Sequence, residues 1–159
     1  MANSTKKADA KATDLLDALD IYFSKHLYAT FRELRVEAEP TKGASFSRID
    51  YYAMPYYNHT PPREELVRPF YAIEVKVDRT DFTKELKKPQ KQRWALMYSN
   101  LFYYCAPRGL IALQELPPYS GLLEFDNSAI VQKIAAPWRD AMPPRWTFVA
   151  SLLVRSRHG

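Results

Sequence analysis

An acidic residue and a lysine stand two positions apart in the stretch "YAIEVKVDRTDF", which covers residues 71–82. Apolar and polar residues alternate over its first half, as in a β-strand, so Glu74 and Lys76 point to the same side. The preceding strand-like stretch, "FSRIDYYAM", carries Asp50. If the two strands are neighbours in one sheet, Asp50 and Glu74 converge, and Lys76 lies one pleat away.

These three side chains form a minimal set for metal-assisted phosphodiester hydrolysis. Two carboxylates at one point repel each other unless a cation neutralises them, and oxygen ligands suit Mg²⁺ or Mn²⁺. We therefore expect Asp50 and Glu74 to bind the metal. The cation would offset the charge of a phosphodiester and make water easier to deprotonate. Lys76 would orient that water and stabilise the anionic transition state.

The plainer interpretation of the same spacing is a solvent-exposed strand face. Glu-x-Lys occurs on many strands as simple alternation of polar and apolar residues. Spacing alone does not separate this interpretation from catalysis, so the rest of the chain has to be considered with it.

The composition predicts one folded domain that binds a polyanion. The chain has 159 residues, 47% of them hydrophobic, which predicts a single domain over residues 13–159 after a loose basic tail over residues 1–12. The net charge of +5 favours a polyanionic partner, with nucleic acid first. With only four glycines the chain lacks a glycine-rich phosphate loop, which argues against a nucleotide-driven enzyme.

The sequence also predicts the compartment. Its single cysteine, Cys105, fits a reducing environment and stands in an apolar run where a buried structural thiol is expected. No segment reaches the roughly 18 consecutive apolar residues that a membrane span needs. We therefore expect a cytoplasmic protein without a membrane partner.

Periodicity predicts the elements of the first half of the chain. A helix is expected over about residues 14–28, because apolar residues recur there at helical spacing. Strands are expected over residues 34–40, 46–54 and 71–77. Four prolines predict a long irregular loop over residues 55–69, before the third of these strands.

The second half is predicted in the same way. A helical region follows the third strand, with a break near Lys88 and a fresh start at Pro89. A strand is expected over residues 101–107, and smaller β pieces are expected at "GLIAL", "GLLEF" and "AIVQKIAA". A closing helix over residues 145–156 is expected to turn four residues inward: Trp146, Val149, Ala150 and Leu153. This order of elements predicts an α/β fold, in which helices flank a central mixed sheet.

Several motifs resemble the PD-(D/E)xK nuclease superfamily. They are "RID", the proline-rich loop, "AIEVK" and the lysine-rich helix after it. The stretch from "EVKVDRTDFTKELKKPQKQRWALMYSNLFYYCAPRGLI" to "ELPPYSGLLEF" is similar to a branch of small nucleases that includes the MmcB-like DNA repair proteins and phage-type relatives. The similarity covers roughly residues 30–137. Two positions depart from it: Ile49 stands where the superfamily name has proline, and Asp78 stands where the branch often has serine.

The resemblance implies a restriction-endonuclease-like core and a Mg²⁺- or Mn²⁺-dependent DNA endonuclease. Such an enzyme would act in DNA repair, in recombination, or on phage or mobile-element DNA. Asp50 and Glu74 would bind the metal, Lys76 would be catalytic, and Gln92 would be a polar helper, with Gln90 as its rival. Four basic residues after the Glu-x-Lys strand would hold the DNA backbone: Lys87, Lys88, Lys91 and Arg93.

Alternatives remain open at this point. The chain could be a non-catalytic DNA-binding or partner-recruiting module of the same fold, or a nuclease that acts on RNA. Glu37 is a candidate third carboxylate, and Asp78 either tunes the metal site or caps the helix that follows it. The sequence does not specify the preferred DNA structure, which could be branched or single-stranded, or whether the protein forms a homodimer.

Overall fold

The computed structural model describes residues 9–23, 25, 27–37, 46–56 and 69–157. Most of the predicted N-terminal tail and most of the proline-rich loop lie outside these ranges. Within them, the chain forms one sheet and the helices that cover it.

The described residues contain six strands: β1 Tyr28–Glu37, β2 Phe46–Pro55, β3 Tyr71–Val75, β4 Leu101–Pro107, β5 Gly121–Asp126 and β6 Ala129–Ile134. They lie in the sheet in chain order. The β3–β4 and β4–β5 pairs are parallel, and the other three pairs are antiparallel.

Helices cover both faces of this sheet. They are α1 Ala12–Tyr22, α2 Arg79–Leu86, α3 Arg93–Met97 and α4 Trp146–Ser156. Short 3₁₀ turns occupy Pro89–Gln92 and Leu113–Glu115. The predicted α/β fold with a mixed sheet flanked by helices is confirmed. None of the helices in the described part of the chain has the length and apolar character needed to cross a bilayer.

Two hydrophobic clusters lie on opposite faces of the sheet. On one face, Leu15 and Leu19 of α1 pack against Tyr51 and Ile73. On the other face, residues of α2, α3 and α4 pack against the sheet around Tyr52, Ala72 and Tyr104. Strand β3 is therefore covered on both sides, as is usual for strands with parallel neighbours, instead of being half-exposed as its alternation predicted.

The first helix is shorter than predicted, and the first strand is longer. The helix ends at Tyr22, and the next strand starts at Tyr28 instead of residue 34. That strand pairs with β2 from Tyr28 opposite Pro55 to Glu37 opposite Phe46, with an interruption at Glu33. These backbone hydrogen bonds outweigh the helical spacing of the apolar residues between 22 and 28.

Two further expectations are wrong. "GLIAL" is not a strand: Gly109 has a positive φ of 79° in a turn, and a 3₁₀ turn begins at Leu113. Helix α4 spans the predicted residues within one position, but its inward face differs. Phe148 is 3% exposed, whereas Trp146 is 86% exposed. The stacking of Phe148 on Tyr98, at 4.2 Å between ring centroids, sets the rotation of the helix about its axis.

Local signals near residue 80 are confirmed. The carboxylate of Asp78 accepts a hydrogen bond from the Asp81 backbone N–H at 3.0 Å, so Asp78 caps α2. The helix stops at Leu86, and a new turn begins at Pro89, as proline at a first helical position predicts.

Gly121 on β5 provides a test of the packing. An added Cβ would lie against the Tyr103 ring and the backbone of Ile134 and Ala136. We expect Gly121→Ala to lower the free energy of unfolding by about 1–3 kcal/mol or more, measured by urea denaturation. In the control Gly109→Ala, the Cβ meets open space, and only the left-handed backbone opposes it, at about 1–2 kcal/mol. Wild-type stability of Gly121→Ala would contradict this packing.

Candidate active site

The pairing of β2 with β3 places Asp50 beside Glu74. The antiparallel register matches Tyr51 with Ile73 and Tyr52 with Ala72, so Asp50 follows on the same side as Glu74. At this point the backbone pairing of the two strands stops. The Asp50 Oδ2 atom instead accepts a hydrogen bond from the Val75 backbone N–H at 3.0 Å. A side-chain carboxylate thus takes the place of a backbone carbonyl at the end of the strand pair.

Lys76 lies just beyond β3 and is held between two carboxylates. Its backbone N–H donates to the Cys105 carbonyl at 2.9 Å, which continues the parallel pairing with β4. Its Nζ donates to Glu74 Oε1 at 3.2 Å and to Glu85 Oε1 at 2.8 Å. The side chains of Glu74, Lys76 and Glu85 are only 10%, 12% and 7% exposed. This is a buried charge cluster, in contrast to a solvent-exposed strand face.

Glu85 was missed by the sequence analysis. It comes from α2, where it is one of two buried residues together with Phe82. Residues three apart on a helix share a face. A glutamate on the same helix face as a buried phenylalanine is therefore the signal that could have identified it.

The cluster opens into a cavity of about 240 Å³. Its walls are formed by residues of α1, β1, β2, β3 and α2, namely Ala12, Leu16, Glu33, Arg48, Asp50, Glu74, Val75, Lys76, Val77 and Asp81. Helix α1 is tied to the sheet next to this cavity, because Arg32 donates to Asp17 at 2.7 Å and to Asp20 at 2.5 Å.

The rim of the cavity is charged and locally strained. Arg48 lies 3.6 Å from Asp50 and 3.6 Å from Glu33. Glu33 has a positive φ of 50°, which is uncommon for a residue with a Cβ. Such conformations cost on the order of 1–3 kcal/mol and occur often at functional sites.

Burial and like charge disturb the ionisation of this site. Burial raises the pKa of Glu74 well above its usual value, and the charges of Asp50 and Glu85 raise it further. Burial also raises the pKa of Asp50, although the Val75 N–H, Lys76 and Arg48 oppose the change. Asp50 and Glu74 thus oppose each other's ionisation, as two carboxylates do when they are withdrawn from water side by side.

The lysine responds in the opposite direction. Burial would lower the pKa of Lys76, but attraction to Glu74, followed by the hydrogen bond and charge of Glu85, outweighs it and raises the pKa. Lys76 is therefore an ammonium ion near neutral pH, and in this state it can donate protons but cannot accept one.

The residues fit a hard divalent cation. All their donor atoms are carboxylate oxygens, and burial raises the pKa of both groups, so a cation that binds there would stabilise their ionised forms. The described residues contain no group of three or more His, Cys, Asp or Glu side chains arranged as metal ligands. Asp50 and Glu74 make a two-carboxylate site, which suits Mg²⁺ because this ion keeps several waters and binds through one or two carboxylates.

The other predicted site residues are placed as follows. Gln92 is 3% exposed in the Pro89–Gln92 turn, but it is not among the residues that line the cavity, so its helper role stays a prediction. Gln90 in the same turn is exposed. All four predicted DNA-binding residues are exposed on the connection between α2 and α3: Lys87, Lys88, Lys91 and Arg93.

Of the remaining residues singled out by the sequence, only Cys105 has a described side chain. Cys105 is fully buried, and burial raises the pKa of its thiol to about 12, so it is not a nucleophile. Glu37 ends β1, but its side chain lies outside the described residues, as do residues 57–68 of the proline-rich loop.

No protein-family model matches the chain, and no curated protein matches it either. A solved structure described as the SPO1766 protein of unknown function from Silicibacter pomeroyi is similar in fold, with a TM-score of 0.60 and 18% sequence identity. The similarity covers 94% of this chain and 87% of that chain. At this identity the likeness shows a shared α/β fold and does not indicate an activity.

Glu74→Gln should stabilise the metal-free protein at alkaline pH. The pKa of Glu74 is raised in the folded state, whereas in the unfolded state it is about 4.3. Between these two pKa values the folded protein binds a proton that the unfolded chain has lost, so the free energy of unfolding falls as the pH rises through this range. Glutamine resembles the protonated acid and removes this loss. We expect a higher Tm at pH 8, by about 2–4 °C for each kcal/mol, and little change at pH 4, measured by calorimetry in EDTA.

Glu115→Gln is the matched control for this prediction. A hydrogen bond from Arg79 lowers the pKa of Glu115 to about 2, so the sign is reversed. Its stabilising effect is present above the unfolded-state pKa and is lost only as the pH falls toward 2. At pH 8 this variant should have a Tm equal to or below that of the wild type. A lower Tm for Glu74→Gln at pH 8 would show that its carboxylate is stabilised by its surroundings.

Proposed function

We propose that this protein is a divalent-cation-dependent nuclease of the PD-(D/E)xK type, with a restriction-endonuclease-like core, that hydrolyses phosphodiester bonds in DNA. The observation that carries the proposal is the convergence of Asp50, Glu74 and Lys76 in one buried cavity. A solvated strand face would leave these charges in water. Here the fold buries most of each charged side chain, which destabilises the folded protein. Charged groups that are buried together in a cleft are typical of functional sites.

Asp50 and Glu74 would hold Mg²⁺ or Mn²⁺. When bound, the cation supplies charge neutralisation for the phosphodiester and lowers the pKa of water. It would also offset the repulsion between the two carboxylates, so both would be ionised in the active protein. The hydrogen bond from the Val75 N–H keeps Asp50 oriented toward the cavity without a cation.

Lys76 would act on the reacting groups directly. Its ammonium is held at the edge of the cavity by two carboxylates before any substrate arrives, so little reorganisation is needed during reaction. From there it can donate a hydrogen bond that orients the attacking water and another to the anionic phosphoryl oxygen. Because its pKa is raised, it remains charged throughout the neutral range.

The DNA backbone would be held by the exposed basic residues between α2 and α3. This connection begins at Lys87, two residues after Glu85, so its first residues follow the charge cluster directly along the chain. A hydrogen bond of 3.5 Å from the Ser47 hydroxyl to the Lys91 carbonyl places it next to the start of β2, the strand of Asp50. Phosphate contacts at this connection would position the duplex without reading its sequence. A role in DNA repair or phage DNA processing in the cytoplasm remains part of the proposal.

A cleavage panel tests the proposed function. Labelled duplex, flap, junction and single-stranded DNA, together with single-stranded RNA, are incubated with Mg²⁺, Mn²⁺ or EDTA. We expect cation-dependent cleavage of DNA, a single-turnover rate about 10²- to 10³-fold lower for Lys76→Ala, and poor rescue by Lys76→Arg because a planar guanidinium does not replace a compact ammonium. Calorimetry should show Mg²⁺ binding within a few-fold of wild type for Lys76→Ala and strongly weakened binding for Asp50→Asn.

Lys84→Ala is the matched control, since Lys84 is exposed on the same helix that carries Glu85. It should cleave at the wild-type rate. Wild-type cleavage by Lys76→Ala would remove the lysine from the mechanism, and the nuclease proposal would fail with it. Cleavage of RNA alone would redirect the proposal to an RNA nuclease, and binding of DNA without cleavage would support a non-catalytic module.

The basic connection has its own test. Lys88→Ala combined with Lys91→Ala should weaken DNA binding for all sequences alike. Each lost phosphate contact should reduce the slope of log affinity against log salt by about 0.9 for duplex DNA. A double variant of equal charge, Lys11→Ala with Lys133→Ala, removes two exposed lysines elsewhere on the protein and should leave the slope unchanged. Equal slopes for both double variants would show that the connection faces away from DNA.

A further inference from the structure

Glu85 is a buried carboxylate with an incomplete set of partners. Its side chain is 7% exposed, and its Oε1 atom accepts a hydrogen bond from Lys76 Nζ at 2.8 Å. Among the described residues, its Oε2 atom is buried without a hydrogen-bond partner. Leaving a buried polar atom without a hydrogen bond destabilises the folded protein. Because the ammonium and this carboxylate are both withdrawn from water, each offsets the burial of the other.

Nearby hydroxyl groups do not complete this set of partners. Tyr104 is buried, and among the described residues its hydroxyl does not supply a hydrogen bond to Glu85 Oε2. Burial, followed by the negative charge of Glu85, raises the pKa of Tyr104, so this hydroxyl stays neutral. Within the described ranges, the ion pair that Glu85 forms is with the ammonium of Lys76.

Under the proposed function, Glu74 would be shared between two cations. In the absence of metal it accepts a hydrogen bond from Lys76 at 3.2 Å, which is longer than the bond to Glu85. When Glu74 binds a divalent cation, its attraction for the ammonium weakens. Within the described part of the chain, Glu85 is then the other carboxylate at ion-pair distance from Lys76.

Helix α2 is anchored well enough to hold Glu85 in place. Asp78 caps its first turn, and Phe82 packs edge-on against Tyr104 at 5.3 Å between ring centroids. Arg79 also forms a bidentate ion pair with Glu115, with both distances at 2.6 Å. These contacts fix the helix at its start and along the face that carries Glu85.

We propose that Glu85 is a positioning residue, which holds the Lys76 ammonium in the cavity while Glu74 is engaged by the divalent cation. This inference rests on the proposed function. It assigns α2 a role in the reaction, whereas the residues of the Asp and Glu-x-Lys motif lie on β2 and at the end of β3.

A double-mutant cycle tests whether Glu85 acts through Lys76. Glu85→Gln keeps the shape of the side chain and removes its charge. In the wild-type background it should lower the single-turnover rate about 10- to 100-fold, as is typical for residues that orient a functional group, with little change in KM. In the Lys76→Ala background the same substitution should change the rate less than about two-fold, because nothing is left to position.

A merely structural role predicts a different outcome, in which Glu85→Gln slows both backgrounds by the same factor. That result overturns the proposal. Glu85→Asp provides a second variant should the glutamine variant be unstable: it keeps the charge on a shorter side chain, and it should give an intermediate rate that again depends on Lys76. Glu124→Gln, on β5 away from the cavity, is the control and should cleave at the wild-type rate.

A spectroscopic measurement gives a readout that is independent of cleavage. In ¹⁵N-labelled protein, a buried ammonium that donates two hydrogen bonds exchanges its protons slowly with water and gives a resolved ¹H–¹⁵N signal. The signal of Lys76 is assigned by its loss in Lys76→Ala. We expect the Lys76 signal to persist on addition of Mg²⁺ in the wild type and to be lost with Mg²⁺ in Glu85→Gln. Loss of the signal with Mg²⁺ in the wild type, or its persistence in Glu85→Gln, overturns the proposal.

The two hypotheses fail in distinguishable ways. If Lys76→Ala is inactive but Glu85→Gln cleaves at the wild-type rate, the nuclease proposal stands and the role of Glu85 is refuted. If Lys76→Ala cleaves normally, the proposed mechanism is wrong, whatever the result for Glu85.

Discussion

An excess of buried carboxylates over buried cations governs the organisation of this protein. At the end of β3, Asp50, Glu74 and Glu85 surround one lysine, and the sheet and helices keep most of the water away. In a medium of low polarity, like charges repel more strongly than in water. Burial and this repulsion raise the pKa of Glu74, and burial raises the pKa of Asp50 as well. A divalent cation would neutralise the two carboxylates. The same excess of negative charge that opposes their ionisation would therefore favour binding of the cation that the proposed reaction needs.

The fold creates this space by ending the pairing on one side of β3 earlier than on the other. The antiparallel pairing of β2 with β3 stops at Tyr51 and Ile73, while the parallel pairing of β3 with β4 continues as far as Lys76. The strands therefore separate on one side of β3 and stay together on the other. The opening lies at the carboxyl end of a parallel strand, where ligands commonly bind in open α/β sheets. Helix α1 forms one wall of the opening, and α2 supplies the carboxylate that pairs with the lysine.

Local signals predicted the framework, and tertiary contacts decided the details. The spacing of Glu74 and Lys76 on one strand fixed their common side, and the Asp78 cap and the restart at Pro89 follow from short-range chemistry. Three features depended on residues far away in the chain. The end of α1 is set by the pairing of β1 with β2, and the rotation of α4 is set by the stacking of Phe148 on Tyr98. The burial of Glu85 is set by the packing of α2 on β4, which no local pattern specifies fully.

The position of Cys105 has a consequence for following motions of the sheet. It is the chain's single cysteine, it lies on β4 between two parallel neighbours, and none of its surface is accessible. A thiol reagent can reach it only when the strands separate or a covering helix leaves the sheet. The rate of labelling at Cys105 thus reports the opening free energy of the central strands without any engineered probe. The Lys76 backbone N–H donates a hydrogen bond to the Cys105 carbonyl. A ligand that binds in the cavity and stabilises the sheet would therefore lower the rate of labelling at Cys105.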